Sequence, residues 1–164
     1  MSSNKVKLKS IDNKIFEVPV YILRKVKLIA EFVDQACEEK RIILLREVEA
    51  KDLEKIIAYL KHYKHFEPKK VPKPFPERTN EKFLRKILND DWTFNYIQSF
   101  NLEEAISLIN SAHYLGIDGL LRILSAKLAY EMCNCDTEEA RQKFGIDCDL
   151  SFEELMEVEN MIDD

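Results

Sequence analysis

Glycine is nearly missing from this sequence: Gly116, Gly119 and Gly145 are the three among 164 residues. Loops that cradle phosphate need several glycines close together, because the backbone itself must approach the anion. Nucleotide chemistry by those routes is therefore excluded. Cysteine is also sparse. Cys37, Cys133, Cys135 and Cys148 are too few and too scattered for a disulfide scaffold and are expected to be reduced. A basic excess is lacking, since the formal net charge is −5. A duplex-binding surface needs cations to neutralise phosphates, so nucleic acid is not an expected partner. No stretch approaches the run of roughly 20 apolar residues that spans a bilayer. Met1-Ser2-Ser3-Asn4-Lys5 leads into alternating residues and not into an apolar signal core. No membrane partner is expected, and the chain is expected inside the cell.

Hydrophobic residues make up 46% of the chain and charged residues 34%, enough for both a packed core and a solvated surface. The length suits one domain with a small helical appendage. Val6 and Leu8 alternate with Lys7 and Lys9, and Phe16, Val18 and Val20 alternate after Ile15. A period of two predicts two half-buried strands. Asp12-Asn13 between them suits a tight turn, so a β-hairpin is expected. Ile22, Val26, Ile29 and Val33 share one face of a predicted helix. Ile42-Ile43-Leu44-Leu45 reads as a third, more buried strand, and Leu53, Ile56, Ile57 and Leu60 define a second amphipathic helix.

Residues 67–78 hold four of the five prolines. Proline removes backbone donors and disfavours helix before it, so 66–80 is expected to be an exposed basic connector. The second half reads as helical throughout. Asn101-Leu102-Glu103-Glu104 is a capping-box start, followed by an apolar stripe of Leu102, Ala105, Ile106, Ile109 and Ala112. Gly116 can end that helix. Asp118 is the expected cap of the next, which should bury Leu120, Leu121, Ile123, Leu124 and Leu128. Asp136-Thr137-Glu138-Glu139 opens another, closing near Phe144-Gly145, and Ser151-Phe152-Glu153-Glu154 opens a last one. Strands and helices segregated in this way define an α+β class.

No catalytic constellation emerges. A nucleophile needs a base in hydrogen-bond reach and an orienting group for that base. His62 and His65 are expected in water near a helix end, with no third metal ligand nearby. Cys133-Asn134-Cys135 is one residue too tight for the usual zinc or redox spacing. Acidic pairs such as Asp90-Asp91 and Glu103-Glu104 sit at helix starts, where the helix dipole accounts for them. The expectation is no catalytic residue, no metal and no cofactor.

Four blocks carry a resemblance. Ile109-Asn-Ser-Ala-His-Tyr-Leu-Gly-Ile-Asp-Gly-Leu-Leu121 resembles the Skp family's "ILAANYLDIKGLL". Asp136-Thr-Glu-Glu-Ala-Arg-Gln-Lys-Phe-Gly-Ile146 resembles "TPEEIRKTFNI". Val6-Lys-Leu-Lys-Ser-Ile-Asp-Asn-Lys-Ile-Phe-Glu-Val18 is similar to "IKLQSSDGEIFEV", and the segment Leu53–Lys64 to "LKKVIQWCTHHK". Trp92 also stands where the family carries a tryptophan. The blocks are collinear from about residue 5 to 155 and continue past the point where elongin C relatives stop.

The resemblance implies a BTB/POZ-like domain over 1–131 and a helical extension over 132–164. It implies a non-enzymatic adaptor that holds an F-box protein against a cullin scaffold, with a RING protein on the cullin bringing the ubiquitin-charged enzyme. Cytoplasmic and nuclear location follows from the same resemblance. The family's cullin-contacting Asn-Tyr pair falls on His113-Tyr114, with Ile109 and Asn110 on the same helix. Phe144 and Ile146 match apolar F-box-contacting positions, and Leu155, Val158 and Ile162 extend that candidate surface. The chain departs from the family in three places. It lacks the terminal Trp-Cys segment, it has Thr137 in place of a proline, and a basic proline-rich loop replaces an acidic one. Two other classes compete with this one: a BTB-like oligomerisation module with no cullin partner, which the helical extension disfavours, and an enzyme using His113 or a cysteine, which the lack of a convergent His/Cys/carboxylate set disfavours. An apolar tail left bare without partners could also pair two copies of the chain as a homodimer.

Overall fold

The computed structural model describes residues 4–31, 33–38, 41–71, 80–88 and 90–146. The hairpin forms as its alternation predicts. Strand β1 (Lys5–Lys9) pairs antiparallel with β2 (Ile15–Pro19), with Val6 opposite Val18 and Leu8 opposite Phe16. Asn13 at the turn has φ 67°, a left-handed conformation that asparagine tolerates better than most residues. The neighbouring Asp12 carboxylate accepts from the amide of Ala50 at 2.9 Å, tying the turn to the start of a later helix.

The next segment departs from the single helix that its spacing predicts. Ile22, Val26, Ile29 and Val33 are all buried, so the face is right. The helix, however, breaks into α1 (Val20–Leu23), α2 (Lys27–Ala30) and α3 (Val33–Glu38). Val26 is extended (φ −96°, ψ 103°), and beside it Lys25 turns inward. The Lys25 Nζ donates to the carbonyls of Tyr63 (2.6 Å) and Phe66 (3.0 Å) and to Glu67 (2.8 Å). The corner trades helical continuity for a cation that satisfies carbonyls beyond the end of another helix.

These three helices form the crossover that a parallel strand requires. Strand β3 (Ile42–Leu44) then runs parallel to β1, giving the order β2-β1-β3. The expectation that this strand is the more buried one is overturned. It is an edge, and Ile42 and Leu44 are each 49% exposed; Leu45, just beyond it, enters the core.

Helix α4 (Ala50–His62) buries Leu53, Ile56, Ile57 and Leu60, as its period indicates. The proline-bearing connector is less exposed than expected at its start, where Pro68 and Val71 are half-buried; residues 72–79 lie outside the described residues. Helices α5 (Glu81–Leu88), α6 (Asp91–Gln98), α7 (Leu102–Leu115), α8 (Asp118–Cys133) and α9 (Thr137–Phe144) follow.

One core joins the sheet and helices α1 to α8, with Leu8, Ile22, Leu53, Leu84, Ile97 and Leu108 among its fully buried side chains. Each such side chain contributes about 1.5–3 kcal/mol of burial free energy. The architecture is the α+β, BTB/POZ-like arrangement with a helical C-terminal region. Asp118 is not the cap of α8: Ile117 holds that position without a side-chain bond, and Asp118 instead accepts from Lys27 at 2.5 Å.

Candidate partner-binding surfaces

Helix α7 is fixed at both ends. Asn101 accepts from the Glu104 amide at 2.8 Å, and the Glu104 carboxylate accepts from the Asn101 amide at 3.1 Å, closing the capping box that the sequence indicates. At the other end Gly116 adopts φ 69°, and the Ile117 amide donates to Ala112 at 2.9 Å. A side chain at Gly116 would be strained by that φ and would meet Lys27 Cβ at 2.8 Å.

The helix buries Ala105, Leu108, Ser111, Ala112 and Leu115. The expected stripe holds in part: Ala105 and Ala112 are buried, but Leu108 and Leu115 join them in the core, whereas Ile106 is 38% exposed. Both faces of this helix carry apolar residues, so periodicity alone left its rotation open. A buried carboxylate on α4 settles it. Asp52, 1% exposed, accepts from Ser107 Oγ at 2.7 Å and Ser111 Oγ at 2.9 Å, one turn apart on α7. The only trace of this clasp in the sequence is the Ser-x-x-x-Ser spacing of Ser107 and Ser111.

The outward face of α7 therefore presents Ile106, Asn110 and His113, four and three residues apart, all exposed. Ile109 and Tyr114 flank it half-buried and packed against the core. The four residues singled out in this helix thus divide into two outward ones, Asn110 and His113, and two that anchor its margins.

Asp136 opens α9 with a second capping box, reciprocated by Glu139 at 2.8 and 3.2 Å, and Gly145 closes it at φ 63°. No residue of α9 is buried. Phe144 is half-buried and Ile146 is 54% exposed. An ion pair from Lys143 to Glu131 at 2.6 Å joins α9 to α8. Burial would raise the Glu131 carboxyl, but Lys143 and Lys127 beside it outweigh that and hold it below its ordinary range. Leu155, Val158 and Ile162 lie outside the described residues.

Several other polar side chains among the described residues are paired within the fold. His62 is not in water as expected: its ring stacks on Trp92 (3.9 Å, 11°) and its Nε2 meets Asp90 at 2.9 Å. Asp90 also caps α6 through the Thr93 amide and bonds the Thr93 hydroxyl. Among the described residues, no group of three or more His, Cys, Asp or Glu could hold a metal. The Cys135 thiol is spent on the Glu131 carbonyl at 3.1 Å. A cavity of about 170 Å³ lies beside Lys25, Lys27, Tyr59 and Asp118, but both lysines are already paired within the protein. No helix among the described residues is long and apolar enough to cross a membrane.

A three-stranded sheet crossed over by short helices and extended by a C-terminal helical region is a POZ-type architecture. Residues 4–65 match the family described as Skp1 family, tetramerisation domain. SKP1-like protein 16 of Arabidopsis thaliana is 32% identical over 94% of this chain and 91% of its own length. SKP1-like protein 18 of the same plant is 31% identical over 96% and 94%. The S-phase kinase-associated protein 1 homolog of Tetrahymena thermophila is 30% identical over 95% and 90%. The chain belongs to the Skp1 family.

Proposed function

We propose that this protein is a non-enzymatic adaptor of an SCF-type cullin-RING ubiquitin ligase, bridging an F-box substrate receptor to the cullin scaffold in cytoplasm and nucleus. The observation that carries the reading is family likeness sustained over 94–96% of the chain, through the helices beyond the POZ fold. The division is residues 1–131 for the cullin and 132–164 for the F-box protein. The outward face of α7 supports the first contact. It sets an exposed isoleucine beside Asn110 and His113, with Tyr114 at the margin, a mixture of apolar and hydrogen-bonding groups typical of interface cores. His113 adds a group that can donate, accept or carry charge. Phe144 and Ile146 support the second contact, and Leu155, Val158 and Ile162 extend it as proposals.

Affinity capture of the whole chain followed by mass spectrometry tests the bridge, with recovery of both a cullin and an F-box protein expected. Ile106→Lys combined with His113→Glu should lower cullin affinity by about a hundredfold, as loss of an interface anchor does, and leave F-box binding intact. Unchanged cullin affinity would remove the α7 face from the proposal. A second reading, a self-assembling module, draws support from the tetramerisation label of the matching family. Light scattering that finds stable oligomers, with no F-box capture, would favour it.

A further inference from the structure

The cavity between α4 and the start of α8 holds hydrogen-bonding capacity that the fold does not use. It measures about 170 Å³, and a cavity of about 150 Å³ takes one benzene-sized molecule. Tyr59, on its wall, is 3% exposed. Its ring neighbours Tyr63 and Tyr96 both place their hydroxyls, on Thr93 Oγ1 and on the Lys55 carbonyl. The Tyr59 hydroxyl has no hydrogen-bond partner among the described residues, although a buried tyrosine usually finds one. It points at Gly119, where a Cβ would sit 2.5 Å away, so the missing side chain leaves its room. Burial pushes this hydroxyl well above the ordinary tyrosine range, and it stays protonated as a donor.

The start of α8 adds more donors. The helix is 16 residues long and lacks a side-chain cap, because Ile117 holds the cap position. The amides of Asp118, Gly119 and Leu120 donate to no described carbonyl. First-turn amides point out of a helix end, and Gly116, Ile117, Asp118 and Gly119 present this end to the cavity. Lys25 spends all three protons on Tyr63, Phe66 and Glu67. Lys27 spends one, on Asp118. The two carboxylates are each engaged by a lysine and open to water, their side chains 74% and 50% exposed. What the cavity lacks is an acceptor.

Charge sets the kind of acceptor. Lys25 is balanced by Glu67 and Lys27 by Asp118. Arg122, one turn further along α8, acts on both Tyr59 and Asp118 and leaves one positive charge over. The helix end adds about half a charge of the same sign. A monoanion therefore neutralises the site, and a dianion overfills it. We propose that this cavity binds the carboxylate of a small organic acid, one oxygen on the uncapped α8 amides and the other between the Tyr59 hydroxyl and Lys27. An acid of about six non-hydrogen atoms suits the volume. A free acid and the C-terminal carboxylate of a peptide share this chemistry.

The test titrates the full chain, isotopically labelled, with propionate, N-acetylglycine, propionamide and sulfate at constant ionic strength. Saturable shifts centred on the amides of Gly116 to Leu120 are expected with the acids, at a Kd on the order of 1 mM. Neutral propionamide and the sulfate dianion should bind about tenfold more weakly. Tyr59→Phe should weaken acid binding about tenfold. It should leave the melting temperature of the free chain unchanged, because the hydroxyl it removes has no partner in the fold. Gly119→Ala fills the space beside that hydroxyl and should abolish binding. Saturation by either acid upholds the proposal, and the tighter one names the source: N-acetylglycine a peptide end, propionate a free acid. Failure of both acids to saturate, equal binding of propionamide or sulfate, or unaltered binding by Tyr59→Phe would overturn it. A lower melting temperature in Tyr59→Phe would show that the fold itself uses the hydroxyl and would overturn it as well.

Discussion

Asp52 is a carboxylate enclosed by two helices, and its worth depends on the two serines that face it. Its Oδ2 takes both hydroxyls, while Oδ1 accepts from no described group. Ser111→Ala should therefore cost about 1–3 kcal/mol, the range for stripping a partner from a buried polar group. In an Asp52→Ala background the same change should cost much less, because the group that needed the donor is gone. Urea unfolding of the four variants measures this, and equal costs in both backgrounds would dismiss the clasp. Asp90 gives a prediction in pH. Burial pushes its carboxyl up, but the Thr93 hydroxyl, His62 and the Thr93 amide outweigh that and hold it below the ordinary aspartate range. A carboxyl depressed in the native state contributes stability that is whole above the unfolded aspartate pKa, about 3.9, and is lost as pH falls through the native value. Asp90→Asn should flatten that part of the acid limb of a stability–pH profile; an unchanged limb would show that other carboxyls set it.

At the scale of elements, α9 is held by its ends. Eight residues fall short of the ~12–15 at which an isolated helix becomes even marginal in water, and none of these is buried. Asp136→Ala removes a cap typically worth about 1 kcal/mol. It should raise amide exchange throughout 137–144 while leaving the main unfolding transition in place. A matching fall in global stability would mean that α9 is coupled to the core. Helix α8 shows the opposite dependence, on proximity: a Cβ at Gly119 would lie 2.5 Å from the Tyr59 hydroxyl and 2.9 Å from Pro68. Gly119→Ala should cost about 1–3 kcal/mol as overpacking, read as a lower melting temperature. Sequence patterns were most legible where a single local rule decides: the hairpin with Asn13 at its turn, the two capping boxes and the α4 face. They were least legible where a distant group decides. Lys25 breaks the α1–α2 helix by reaching across to Tyr63, and the rotation of α7 rests on a residue fifty-five positions before Ser107.

For the whole molecule, charge is divided along the chain. Residues 147–164 carry eight acids and no base, so the remainder of a chain whose net charge is −5 is net positive. A chain ending at Ile146 should be retained by a cation exchanger at neutral pH and low salt, where the full chain flows through. Equal elution would mean that pairing within the body hides its cations. The family, and with it the α+β architecture, was legible because four blocks stand in the right order. The surfaces were only half legible. A resemblance locates His113 and Phe144 in the sequence, but which of their neighbours turn outward is decided by packing, as exposed Ile106 and half-buried Ile109 show.

Trp92, the single tryptophan of the chain, lies between the rings of His62 at 3.9 Å and Tyr96 at 4.7 Å. An indole sandwiched in this way is a built-in optical probe. Its emission should shift to the red when the α4–α6 contact opens, so that event can be followed without attaching a dye.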